Sequence, residues 1–141
     1  MKPLLTLCVL LSATAPCLAD CYDNAITQTE LNRCACSQAD DAQQQLHQVL
    51  ASLHRLYADD EAFLQALTQA QSQWAASLEA DLALKYPLAE KQAVYGSAYP
   101  LCLNSYRTEL INARIAFLQQ WLEGVEEGDV CSGSLMPAPA D

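Results

Sequence analysis

Apolar residues recur every three or four positions through most of this chain, and nowhere do they alternate at period two. Leu46, Val49, Leu50, Leu53, Leu56 and Tyr57 form one stripe, which predicts a helix over 27–57. Its first part, through Gln45, is polar and rich in Ala and Gln, so its buried stripe should be thinner. Thr27-Gln28-Thr29-Glu30 is a capping box that marks the start. Ala58-Asp59-Asp60-Glu61 interrupts the pattern, and Asp59 or Asp60 can cap a second helix. That helix carries Phe63, Leu64, Leu67, Ala70, Trp74, Leu78 and Leu82 inward and runs to about Lys85, where Pro87 ends it. A third, from about Cys102 to Leu122, carries Leu103, Tyr106, Leu110, Ala113, Phe117 and Trp121, and Gly124 stops it. The fold class is therefore all-α: a small, disulfide-stapled three-helix bundle in up-down-up order. Residues 86–101, with Pro87, Gly96 and Pro100, read as the one long irregular connector.

The two ends differ from this body. Lys2 followed by the short apolar run Leu4–Ala13 reads as an export signal, too short to span a bilayer. Cys17-Leu18-Ala19 offers small residues for cleavage after Ala19. Ala13-Thr14-Ala15 is a rival, disfavoured by Pro16. The expected mature chain, 20–141, has one helical domain over 20–123 and a flexible tail over 124–141 that lacks periodicity and ends rich in Pro and Ala. A periplasmic or secreted location follows, with no membrane span in the mature chain.

Charge then narrows the partners. Without Lys2, six Lys and Arg face seventeen Asp and Glu, a formal net charge of −11. Nucleic acid needs basic patches and is not an expected partner. A basic macromolecule would be steered toward such a surface, although acidity also simply keeps an exported protein soluble.

Of seven cysteines, five follow the signal: Cys21, Cys34, Cys36, Cys102 and Cys131. In an exported domain they read as a disulfide framework, and an odd count leaves one thiol over. Cys21 and Cys34 bracket the capped helix start. Cys21 in an extended lead-in can fold back onto Cys34, two turns into the helix. Metal chemistry is not expected. His47 and His54 lie seven residues apart beside the apolar stripe, and no four-ligand pattern accompanies Cys34-Ala35-Cys36. Nor does that spacing sit in a redox setting. No nucleophile elbow, phosphate loop or paired acid and base is visible, so neither catalysis nor a cofactor is expected. Trp74 reads as a core indole whose N–H can bond Gln71, three residues earlier on the same face. Arg114 reads as a structural arginine that bonds carboxylates or carbonyls at a helix end.

Together these motifs resemble the LprI-like lysozyme-inhibitor domain family of bacterial exported proteins. The resemblance rests on Cys21, the run Thr27, Gln28, Glu30, Leu31, Asn32, then Cys34-Ala35, Gln71 with Trp74, Gly96-Ser97, and the cysteine-led helix with Cys102, Arg114 and Leu118. It spans roughly residues 21–122. The family usually has Arg-Asp and a cysteine after the tryptophan, where this chain has Leu78 and Leu82. The usual partner of Cys102 is thus absent. Because first and third helices of an up-down-up bundle start at one end, Cys36–Cys102 is the expected second pair, with Cys102–Cys131 the alternative.

The resemblance implies a protein partner of the basic lysozyme class, and an inhibitor of lysozyme-type muramidases. The alternative is a structural or adaptor domain of the cell envelope without lysozyme contact. If there is an inhibitory surface, the connector is its candidate. The mature chain's only lysines, Lys85 and Lys91, lie in or beside it, with Tyr86, Tyr95, Gly96, Ser97 and Tyr99. A muramidase cleft holds two carboxyl groups and binds sugar rings. Lysine, serine and tyrosine supply donors and flat rings. The plainer reading is a connector whose tyrosines pack on the bundle end.

Overall fold

Thr27 starts the first long helix by reciprocal capping. Its hydroxyl accepts from the Glu30 N–H at 3.2 Å, and the Glu30 carboxylate accepts from the Thr27 N–H at 2.8 Å. The structure, a computed structural model, describes residues 19–138. The proposed signal therefore lies, apart from Ala19, outside the described residues. Five helices form among the described residues: α1 (Ala19–Asn24), α2 (Gln28–Leu56), α3 (Glu61–Lys85), α4 (Lys91–Tyr95) and α5 (Tyr99–Glu123). No strand forms there, only an isolated bridge between Val125 and Pro137.

The three long helices lie where the periodicity puts them, but two short ones were not expected. α1 replaces the extended lead-in: Cys21 is helical, and its Tyr22 hydroxyl donates to Gln38 on α2 at 3.1 Å. α4 occupies the middle of the supposed irregular connector. α5 begins three residues early, at Tyr99, because Pro100 sits in its first turn, where a missing N–H costs nothing. Asp60, rather than Asp59, caps α3, accepting from the Phe63 N–H at 2.9 Å.

α2 and α5 form the most extensive helix pair. Asn32 bonds the Leu101 N–H near their starts, and Tyr57 donates to the Trp121 carbonyl near their ends. The two helices thus run in the same sense. α3 meets α5 in the opposite sense, Gln71 against Arg114 and Glu79 against Arg107. Ala35, Ala39 and Ala42 are buried in the polar half of α2, so the thinner stripe is an alanine seam that admits α5 closely. Further along, Leu46, Leu53 and Tyr57 meet Ile111, Ile115, Leu118 and the α3 residues Phe63, Leu67, Leu78 and Leu82 in one core. Burying each large aliphatic chain there contributes about 1.5–3 kcal/mol.

Beyond α5 the chain doubles back as far as Ala138. The Val125 N–H donates to the Met136 carbonyl at 3.0 Å, and the Ala138 N–H to the Val125 carbonyl at 2.8 Å. Trp121 Nε1 donates to Ser134 Oγ at 3.0 Å. Gly124 makes this return possible: its φ is +76°, and a Cβ there would stand 2.8 Å from Ala138.

Candidate functional site

The connector between α3 and α5 sits at the end of the molecule where α2 and α5 begin. Asn32 fastens it. Its Nδ2 donates to the Ser97 carbonyl at 3.0 Å, and its Oδ1 accepts from the Leu101 N–H at 3.2 Å and from Gln28 Nε2 at 2.9 Å. Gly96, at φ +77°, turns the chain from α4 toward α5.

Three tyrosines fill the inside of this connector. Tyr86 meets Tyr95 and Tyr99 edge-on, each with ring centroids at 5.2 Å, while Tyr95 and Tyr99 stack at 5.8 Å. The Tyr95 hydroxyl also accepts from the Leu88 N–H at 3.3 Å. Both lysines have partners within the fold. Lys91 Nζ donates to the Tyr86 carbonyl, and Lys85 Nζ lies 3.4 Å over the Tyr106 ring. Desolvation raises the Tyr86 hydroxyl above its ordinary pKa of 10.0, helped by Cys102 and the neighbouring tyrosines.

Of the expected set, Tyr95 and Tyr99 meet each other and Tyr86, Lys91 bonds the Tyr86 carbonyl, and Lys85 stands apart over Tyr106 on α5, while Gly96 and Ser97 are exposed at the tip. What else faces outward was not singled out from the sequence. Leu84, Leu88 and Val94 are 79%, 53% and 50% exposed, an apolar shoulder whose members each stand within two residues, along the chain, of a clustered tyrosine. The available signal was positional: Leu84 falls off the α3 stripe, and Leu88 directly follows Pro87.

Gln71, Trp74 and Arg114 also meet, in a different arrangement from the one expected. Gln71 Oε1 accepts from Arg114 Nε at 3.1 Å, so Gln71 serves the guanidinium rather than the indole. Trp74 is half-buried against the core and lies 5.7 Å under the guanidinium carbon. Arg114 stands in mid-helix, not at a helix end, and also covers Phe117 at 5.2 Å. Desolvation by burial lowers its pKa below the ordinary arginine value.

Cys21 and Cys34 are joined, with Cα atoms 5.8 Å apart. The expected Cys36–Cys102 pair is not formed: both are free and exposed, as is Cys131. Helix faces explain this. Cys36 lies about 100° round α2 from the seam residue Ala35. Cys102, nine residues before Ile111, lies half a turn round α5 from the buried face. The alternative Cys102–Cys131 would join opposite ends of α5. His47 and His54 are exposed, His47 within 3.0 Å of Gln43 Nε2. Among the described residues no group of His, Cys, Asp and Glu is placed to hold a metal ion, and no helix is long and apolar enough to cross a membrane.

The family model described as "Lysozyme inhibitor LprI" matches residues 19–118. That range takes in α1 through most of α5, the disulfide and the whole connector. No curated protein and no solved structure matches the chain.

Proposed function

We propose that this chain, which belongs to the LprI lysozyme-inhibitor family, is an exported bacterial binding protein that inhibits lysozyme-type muramidases. The match over 19–118 is the observation that carries this reading. The family is one of inhibitors rather than enzymes, in keeping with a chain read as having no catalytic constellation.

Physical chemistry supplies the route. In the periplasmic or secreted form the chain is 20–141, and its charge of −11 would draw in a basic enzyme. The long helices, in up-down-up order, then act as a stiff carrier for the connector at one end. Leu84, Leu88 and Val94 would seat against the rim of the cleft. Ser97 and Lys91, at the tip and flank, would offer donors to its carboxyl groups. The inward tyrosines would hold the tip in shape, so that little order is lost on binding.

A second reading, an envelope adaptor with no lysozyme contact, is favoured by one specific observation. The lysines and tyrosines of the connector are engaged within the fold. A turbidity assay of cell-wall lysis with purified 20–141 separates the two. Inhibition of a basic lysozyme supports the first. Full lysis at saturating protein overturns it. Within an inhibiting protein, Lys91→Ala, Ser97→Ala and Tyr99→Ala then locate the surface. If all three inhibit normally and stay folded, the surface lies elsewhere.

A further inference from the structure

Arg114 lines a slot of about 180 Å³ between α3, α5 and the returning tail. Its other walls include Phe63, Leu67, Phe117, Trp121 and Ser134. The slot is almost wholly apolar apart from the guanidinium and the Ser134 hydroxyl. Phe117 and Trp121 have ring centroids 5.2 Å apart, and Phe63 and Trp121 6.4 Å, so three rings border one small space. Phe117 is 47% exposed, an unusual position for a large aromatic ring.

The guanidinium is only partly satisfied. Nε is held by Gln71, but Nη2 is buried with no hydrogen-bond partner, the one such side-chain atom among the described residues. A buried polar group without a partner is uncommon and calls for an explanation. Among the described residues no carboxylate is paired with Arg114. Arg107, two turns earlier on the same face of α5, has Glu79 at 2.6 Å. An apolar slot next to an unpaired, desolvated guanidinium fits an anion with an apolar body.

We infer that the slot between α3, α5 and the tail binds a small apolar monocarboxylate, its body among Phe63, Phe117 and Trp121 and its carboxylate on Arg114. Size selects the class. A cavity of about 150 Å³ holds a benzene ring, so 180 Å³ leaves room for one ring or a short branched chain with its carboxylate. Phe117, half exposed, is the side chain that moves aside to let the carboxylate reach Nη2. The slot is separate from the connector, since Trp121 and Ser134 lie at the opposite end of α5. The inference therefore does not depend on lysozyme inhibition.

The test is a ¹H–¹⁵N NMR titration of 20–141 with phenylacetate, and with phenylacetamide as the neutral isostere. Phenylacetate should bind saturably and shift the Trp121 indole and Arg114 Nε–H resonances. Phenylacetamide should bind about tenfold more weakly or worse, the ratio expected for one charge-assisted bond. Arg114→Gln should abolish the preference for the acid. Because that variant also loses its place over Trp74, Ala66→Phe serves as the second. Ala66 is an exposed slot residue, so a ring there fills the slot with Arg114 intact and should abolish binding of both probes. Equal affinity for acid and amide, binding that survives Ala66→Phe, or no saturable shift with phenylacetate would each overturn the inference.

Discussion

Asn32 and Leu101 tie the start of α2 to the start of α5: the Asn32 side-chain oxygen accepts the Leu101 backbone N–H at 3.2 Å. The same side chain donates to the Ser97 carbonyl, so one residue anchors the connector's tip and caps part of the next helix. Asn32 is an Asn in a run of helix formers, a residue type that normally favours caps and turns over helix interiors. Here its amide works across helices.

Asn32→Ala should therefore cost about 1–3 kcal/mol, since it strands a half-buried N–H and a carbonyl. Asn32→Asp keeps the acceptor for the Leu101 N–H but sets a carboxylate oxygen against the Ser97 carbonyl, so it should also destabilise. Urea denaturation gives the size, and hydrogen exchange gives the place. The Leu101 amide should exchange faster in Asn32→Ala while amides in the middle of α3 do not. Unchanged exchange at Leu101 would show that the contact contributes nothing in solution.

The capping box carries a pH dependence of known sign. Glu30 lies below its ordinary pKa of 4.5, chiefly because the Thr27 N–H donates to it, then the Ile26 N–H and the Thr27 hydroxyl, with Arg33 a smaller influence. A depressed carboxylate contributes stability that is present above its unfolded pKa and is lost as pH falls through the folded one. Glu30→Gln keeps a capping side chain but no charge. The wild type should thus melt higher than Glu30→Gln near neutral pH. That gap should close as pH drops through and below the ordinary carboxylate range. A gap that persists in acid would remove the charge from the explanation.

Cys21–Cys34 closes a short loop, with a sequence separation of 13. Replacing both by Ser should cost about 3 kcal/mol. Maleimide should label Cys36, Cys102 and Cys131 in the native protein, and Cys21 and Cys34 only after reduction. Protection of Cys36 together with Cys102 would restore the pairing that the helix faces argue against.

These cases also show what the sequence carries. Periodicity and capping are local, so α2, α3 and α5 were legible almost to the residue, as was the Cys21–Cys34 staple. α4 was not. Five residues between Pro87 and Gly96 hold too little pattern to distinguish a helix from a loop. The Cys36–Cys102 expectation failed because knowing which helices share an end says nothing about their rotation. That rotation is set by the alanine seam on one side and Ile111 and Ile115 on the other. Gln71 and Trp74 were legible as neighbours on one face, but Arg114 was read apart from them. Arg114 comes from a helix 43 residues away and takes the Gln71 oxygen. The connector was legible as a cluster of donors and rings. That its rings face inward and leave Leu84, Leu88 and Val94 outside depends on three tyrosines meeting in space.

If the chain binds a basic lysozyme as proposed, two contributions to that binding are separable. The acidic body acts at long range, so it should govern association. With a basic lysozyme, the on-rate should fall about tenfold or more from low to high ionic strength. The apolar shoulder acts only in contact, so it should govern dissociation. Leu88→Ser with Val94→Ser removes two side chains that are half exposed in the free protein and would be covered in the complex. The pair should speed dissociation by about five- to thirtyfold, as expected when roughly 1–2 kcal/mol of apolar burial is lost, and leave the salt dependence of association untouched. Surface plasmon resonance reads both rates on one surface. If the double variant slows association without changing dissociation, or changes neither while inhibition stands, the shoulder does not touch the enzyme. If salt leaves association unaltered, the acidity serves solubility alone.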